Sequence, residues 1–320
     1  MGDSHFSGMV YSQGAPLIPS LYARNVYWLD PTNGSDDNTG KSRAKAVKTL
    51  PNAYGLCTAG QHDTIFYIPG ASSISLSALL TWSKAYTHLI GLGAPGLVGQ
   101  RARIFQTAGN LDLSPLIDIT ADGCMFQNLY AFQGVDDAHS LINVRLTGDR
   151  NYFRNVHFAG GGHASNAIDG AASLQLSVAR ENFFEDCTLG VDTIAAATGV
   201  ACLSYAAPGA GLNSTRNVFR NCRFTLWAGA AGAMFVEAMG DSGVDRYQLF
   251  ENCSFINLST TTLTTAFKFN SLVAQNKRFL LRNCAQIGAT DWDADLTGML
   301  FMDMPALTGA TTSGHFTVST

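Results

Sequence analysis

Apolar and polar positions alternate with a period near two along Asn217-Val218-Phe219-Arg220-Asn221-Cys222-Arg223-Phe224, and near copies of this stretch keep returning. Residues 124–129, 151–158, 182–187, 248–255 and 279–284 fall into the same register. The anchoring positions Asn128, Asn155, Asp186, Asn221, Asn252 and Asn283 are separated by 27, 31, 35, 31 and 31 residues. Repeats of this size mark a solenoid, in which each unit buries its apolar face only by stacking on its neighbours. Period-two alternation makes each copy a short strand. The intervals between copies are rich in Gly, Ala, Ser and Thr and carry no sustained helical period, so no crossover helix is expected. The pattern therefore predicts an all-β, single-stranded right-handed parallel β-helix, with equivalent positions about 4.8 Å apart along its axis.

Stacking turns the repeat into columns. Phe126, Phe153, Phe184, Phe219, Phe250 and Leu281 are expected to form an apolar spine. Asn128, Asn155, Asp186, Asn221, Asn252 and Asn283 are expected to form an amide ladder at a bend. Leu129, Val156, Cys187, Cys222, Cys253 and Cys284 read as a column of small buried apolar groups. The outward column, Gln127, Arg154, Glu185, Arg220, Glu251 and Arg282, alternates in sign from coil to coil. Exposed pairs of this kind contribute about 0.2–1 kcal/mol each, so the row fixes register and reads as a solvated, neutralised face.

The chain divides into an extended N-terminal arm (1–20), a cap module (21–72) and the β-helix with its C-terminal closing segment (73–320). The arm is too poor in apolar residues to build a core, and its His5, Phe6, Met9, Val10, Tyr11, Leu17 and Ile18 are the residues expected to dock on a partner. In the cap module a strand ends at Asp30-Pro31, and Asn33-Gly34 opens a polar turn. Thr49 to Cys57 fits a short helix with Thr49 as N-cap and Pro51 in the first turn. Asp63 to Gly70 is the next strand. The Asp/Asn cluster 30–38 lacks the spacing of a twelve-residue calcium loop and reads as Asx-turn chemistry. Further coils are expected at Leu76–Trp82, His88–Gly93, Ala102–Phe105 and Leu116–Ile119, with Gly91 to Gly96 as a tight coil turn. The last coil is expected near Leu296–Met302, with His315 to Val318 as a final strand.

The order Asp-Pro-x-Asn-Gly-Ser-Asp-x-Asn-x-Gly (30–40), short helix, Asp-Thr-Ile-x-Tyr-Ile-Pro-Gly (63–70) resembles the opening module of pectate-lyase-like β-helix proteins, many of them phage virion proteins. The opening His5-Phe6-Ser7-Gly8-Met9-Val10 resembles the starts of some tailed-phage head proteins. Such a fold hosts lyases, hydrolases, adhesins and capsid or tail parts alike, so it does not fix function.

The 320 residues are 46% hydrophobic and 14% charged, which suits stacked flat faces, and the net charge of −4 offers no basic face for nucleic acid. No run of apolar residues is long enough for a membrane span, and no secretory signal opens the chain. Seven cysteines, four in one column, are expected as free buried thiols, as in a reducing cytoplasm. No metal-ligand spacing and no cofactor motif is found. Glycosidase chemistry needs two carboxyls about 5–10 Å apart. Glu237 with Asp241, or Asp136 with Asp137, would meet this only by chance; Trp82, Trp227 and Trp292 are the nearest aromatic candidates for a sugar groove, and core packing is the job expected of them.

These readings and the resemblance imply a structural virion protein, not an enzyme. The expected role is capsid decoration or cement, binding the major capsid protein on the capsid exterior as a homotrimer after synthesis in the host cytoplasm. Small-residue stretches near residues 159–163, 195–197, 206–211 and 228–233 are expected near the trimer contact. The alternative is a tail spike or fibre that binds or cleaves host surface polysaccharide.

Overall fold

A computed structural model describes residues 11–12, 15–16, 23–108, 112–161, 170–240, 243–269, 278–293 and 298–302. Successive coils of the chain lay strands on three faces, and every strand pairing from Val26 onward is parallel. The first face runs through Val26–Leu29, Thr64–Tyr67 and His88–Gly91 to Arg278–Arg282 and Met299–Phe301. The second runs from Ile74–Leu76 and Arg103–Gln106 to Arg223–Ala228, Ser254–Asn257 and Ala285–Ile287. The third is a seven-stranded sheet from Leu80–Trp82 to Phe267–Phe269. The expected architecture is therefore present.

The register matches the columns residue for residue. Phe126, Phe153, Phe184, Phe219 and Phe250 stack with ring centroids 5.0, 4.7, 4.5 and 5.0 Å apart and planes within 9°. Offset stacking of this kind adds about 0.5–1.5 kcal/mol per pair beyond area burial. The six bend residues all have positive φ, between 49° and 54°. Asn and Asp tolerate that left-handed conformation better than other residues with a Cβ, which explains why they recur. Their side chains form the ladder: the amide groups of Asn155, Asn252 and Asn283 donate to the preceding rung at 2.8, 3.2 and 2.9 Å.

A second amide column, which the repeat pattern did not reveal, lies buried at the start of the first face. Asn182 donates through Nδ2 to Asn217 Oδ1 at 3.0 Å, and Asn217 donates to Gln248 Oε1 at 3.0 Å. Beside it, Arg150 and Arg216 both reach Glu181, a second alternating-sign row.

The cap helix spans Leu50–Leu56, and Thr49 Oγ1 accepts from the Asn52 N–H at 3.4 Å. Leu50, Ala53 and Tyr54 are buried, so the helix covers the first coils with its apolar side. Asp30 accepts from the N–H groups of Thr32 and Asn33 at 2.9 Å each, the Asx-turn chemistry expected of the 30–38 cluster. All seven cysteines are free, and all but the half-buried Cys284 are buried.

Three expectations are corrected. The outward column is not a solvated face: Gln127 and Glu251 are buried, and Glu185 is only 1% exposed, where Tyr152 donates to it and covers it. Trp82 is in the core and Trp292 packs on Phe255 and Phe301, but Trp227 is 44% exposed. Residues beyond Gly91 form no tight turn, but a loop that leaves the coil. Of the arm, the described residues are the paired strands Tyr11–Ser12 and Ala15–Pro16. His5, Phe6, Met9, Val10, Leu17, Ile18, Asp241 and the strand expected at His315 to Val318 lie outside the described residues. Among the small-residue stretches, Ala159, Ala228 and Ala233 are buried within the chain, while Pro208, Ala210 and Gly211 are exposed.

Candidate functional site

In most coils a single bend residue separates the first face from the second. In the coil that begins at His88 the same corner carries the 92–101 loop, between the strands His88–Gly91 and Arg103–Gln106. Gly91 permits the departure. A Cβ there would lie 2.2 Å from the Asn128 carbonyl oxygen and 2.5 Å from Ala102 Cβ, so no larger residue fits.

The loop folds across the outer surface of the following coils and is tied down at three places. Gln100 donates through Nε2 to Oδ1 of Asn155 at 2.9 Å and to its carbonyl at 3.1 Å. The Gly99 N–H donates to His157 Nδ1 at 3.0 Å, and Thr188 Oγ1 donates to the Leu97 carbonyl. His157 Nε2 lies 2.8 Å from the Gly190 carbonyl, so this nitrogen carries the proton and Nδ1 is free to accept. Burial pushes the imidazole below its ordinary value, which keeps the ring in this neutral form. Tyr130 stacks on it at 4.8 Å.

Clefts open on both sides of the loop. The larger, about 470 Å³, has Pro95, Gly96 and Leu97 as one wall and Gln127, Asn128, Arg154, Asn155 and Asp186 as its floor. The floor offers amide donors and acceptors, a guanidinium and a carboxylate, with Arg154 Nε 3.8 Å from both Glu185 Oε2 and Asp186 Oδ2. Asp186 is the accessible acid of the pair, at 39% side-chain exposure against 2% for Glu185. Burial, and then the Glu185 carboxylate it donates to, push the Tyr152 phenol upward. The smaller cleft, about 230 Å³, is lined by Val98, Asp192, Arg223, Thr225, Trp227 and Leu258, among others. Trp227 faces outward because Arg223, Thr225 and Trp227 alternate with buried Phe224, Leu226 and Ala228. Its register partner on the adjoining strand is Ala195, too small to cover the indole.

Other sequence candidates converge less. Glu237 is fully buried and 3.4 Å from Lys268. Asp137 does gather neighbours: His139 Nδ1 lies 2.9 Å from Asp112 Oδ1 and 3.6 Å from Asp137 Oδ1. Both His139 and Asp112 are exposed, and the trio makes the contacts of an ordinary surface ion pair. The loop leaves one trace in the sequence: eleven residues separate the half-strands that end at Gly91 and start at Arg103, where the coils bending at Asp186, Asn221 and Asn252 have two, the bend residue and a Cys.

No protein-family model matches this chain, and no curated protein sequence matches it. Solved structures do match. A pectin methylesterase from Erwinia chrysanthemi aligns over 92% of this chain and 93% of its own, at 15% identity and a TM-score of 0.57. A pectate lyase aligns over 87% of this chain and 68% of its own, at 13% identity and a TM-score of 0.60. A rhamnogalacturonan lyase aligns over 82% and 68%, at 16% identity and a TM-score of 0.56. At these identities the likeness carries the fold: the chain is a pectate-lyase-like right-handed parallel β-helix. The expectation that it is not an enzyme is withdrawn, because the structures that share its coil over most of its length are enzymes.

Proposed function

We propose that this chain is a polysaccharide-binding β-helix protein that holds a carbohydrate strand in the clefts beside the 92–101 loop and acts on it there. The observation that carries the reading is the floor of the larger cleft. Gln127, Asn128, Asn155, Arg154 and Asp186 present donors and acceptors at close intervals, the complement of a hydroxyl-rich ligand. Asp186, exposed and beside a guanidinium, is the carboxylate placed to move a proton on a bound sugar, with Glu185 and Tyr152 behind it. That the fold is shared with pectin methylesterases and lyases supports a carbohydrate ligand by analogy.

Of the roles expected from the sequence, recognition of host surface polysaccharide is the one these clefts support. Capsid decoration rests on residues 1–20, most of which lie outside the described residues. The test is affinity electrophoresis against pectin, alginate, xylan and bacterial capsular polysaccharides, followed by assays for new reducing ends, unsaturated ends or released ester groups. Retardation by at least one polysaccharide, lost on Asp186→Ala together with Arg154→Ala, is expected. Unretarded migration with every polysaccharide refutes the reading.

A further inference from the structure

We propose that the smaller cleft, around Trp227, receives a sugar residue bearing an O-acetyl group, so that the bound polysaccharide is selected by its acetylation. The proposal rests on the polysaccharide reading above and adds the chemistry of one subsite. At about 230 Å³ the cleft has room for one ring and a substituent. Trp227, 44% exposed and uncovered above Ala195, offers an indole face on which the apolar face of a pyranose stacks.

The walls then discriminate among substituents. Val98 and Leu258 are 47% and 69% exposed, and with half-buried Ile256 they line the rim beside the indole with hydrocarbon. A bare hydroxyl gains nothing from such a wall; a methyl group does. Arg223 lies at the same site, half-buried, and its guanidinium makes no hydrogen bond or ion pair among the described residues. Its register neighbours on the two adjoining strands are Thr188 and Ser254, neither of them acidic. A partly desolvated guanidinium lacking an acceptor gains from one that a ligand brings. Asp192, exposed in the same cleft, disfavours a second negative charge there.

Three ligand chemistries can be set against these walls. A carboxylate satisfies Arg223 but meets Asp192 and leaves the apolar rim unused. A 6-deoxy sugar fills the rim but leaves the guanidinium without an acceptor. An acetyl ester does both without charge, its carbonyl oxygen accepting from Arg223 and its methyl against Val98, Ile256 and Leu258.

The experiment is an array of O-acetylated bacterial capsular polysaccharides, each printed beside the same material de-O-acetylated with mild alkali. Wild-type protein is expected to bind at least one native form about tenfold or more tighter than its de-acetylated partner, the loss of a hydrogen bond to a charged donor. Arg223→Met, its fold checked by circular dichroism, is expected to reduce that preference to under about threefold. Equal binding to both members of every bound pair overturns the acetyl subsite while leaving polysaccharide binding intact. A preference unchanged in Arg223→Met overturns the assignment to this cleft, and binding to no polysaccharide overturns both readings.

Discussion

Asn155 joins the corner ladder to the loop over the cleft, and replacing it by two different residues separates its two duties. Its φ is 49°, its Nδ2 donates to Asn128 Oδ1 at 2.8 Å, and its Oδ1 accepts from Gln100 at 2.9 Å, all in a site only 8% exposed. Asn155→Gly keeps the left-handed backbone accessible but deletes both side-chain bonds. Two buried neutral hydrogen bonds at about 1 kcal/mol each, partly offset because Gln100 keeps the backbone carbonyl, put the loss at about 1–2 kcal/mol. Asn155→Ala deletes the same bonds and adds the left-handed penalty of about 1–2 kcal/mol, reduced by the lower chain entropy of Ala, so it should be less stable than the Gly variant by about 1 kcal/mol. Urea unfolding followed by far-ultraviolet circular dichroism measures both. An Ala variant as stable as the Gly variant would refute the claim that backbone conformation selects Asn at the bend. Both variants lose the Asn155 amide from the cleft floor and one of the two bonds that Gln100 makes to this residue, so both should weaken polysaccharide binding alike.

Trp227→Ala should leave stability within about 0.5 kcal/mol, since the ring is exposed, yet weaken polysaccharide binding about tenfold in calorimetric titration. Phe219→Ala removes a fully buried ring stacked at 4.5 and 5.0 Å on its neighbours, and should cost about 3–5 kcal/mol in the same urea assay. His88, buried and accepting from the Met125 N–H at 3.1 Å, has its pKa lowered from 6.5 to about 4 by burial and then by His62. Below pH 6.5 the unfolded chain therefore binds more protons than the folded one. Stability should be fully present above that pH and fall by up to about 3 kcal/mol as pH drops to about 4, a decline in Tm that His88→Gln should flatten. Burial, then Asp63, pushes the Cys57 thiol up to about 12. The buried thiols should resist Ellman's reagent at pH 8 in the native protein, and all seven should react in denaturant.

The coil was legible because each column repeats a single physical requirement. Phe recurs where rings stack, Asn or Asp where φ turns positive, and Leu, Val or Cys where an apolar group is buried after the bend. Even the register of Gln127, Arg154, Glu185, Arg220, Glu251 and Arg282 can be read from spacing alone. What resisted reading is what does not repeat. The 92–101 loop occurs in one coil, and no periodic argument says where a non-periodic segment lies. Glu185 reads as a solvated acid from spacing alone because Tyr152, which covers it, belongs to a different column of the preceding coil. Trp227, expected in the core, is turned outward by the strand alternation that starts at Phe224.

The corner at Gly91 also has an evolutionary and practical meaning. A winding stack with interchangeable corners is a ruler: the rung that carries an excursion sets the height of the binding surface, and the hydrocarbon interior does not register the choice. Transplanting the excursion to the Asn221 corner should slide that surface along the axis in increments of one strand spacing, about 4.8 Å each, once its anchors are rebuilt there, because the register equivalent of His157 two coils on is Ala285.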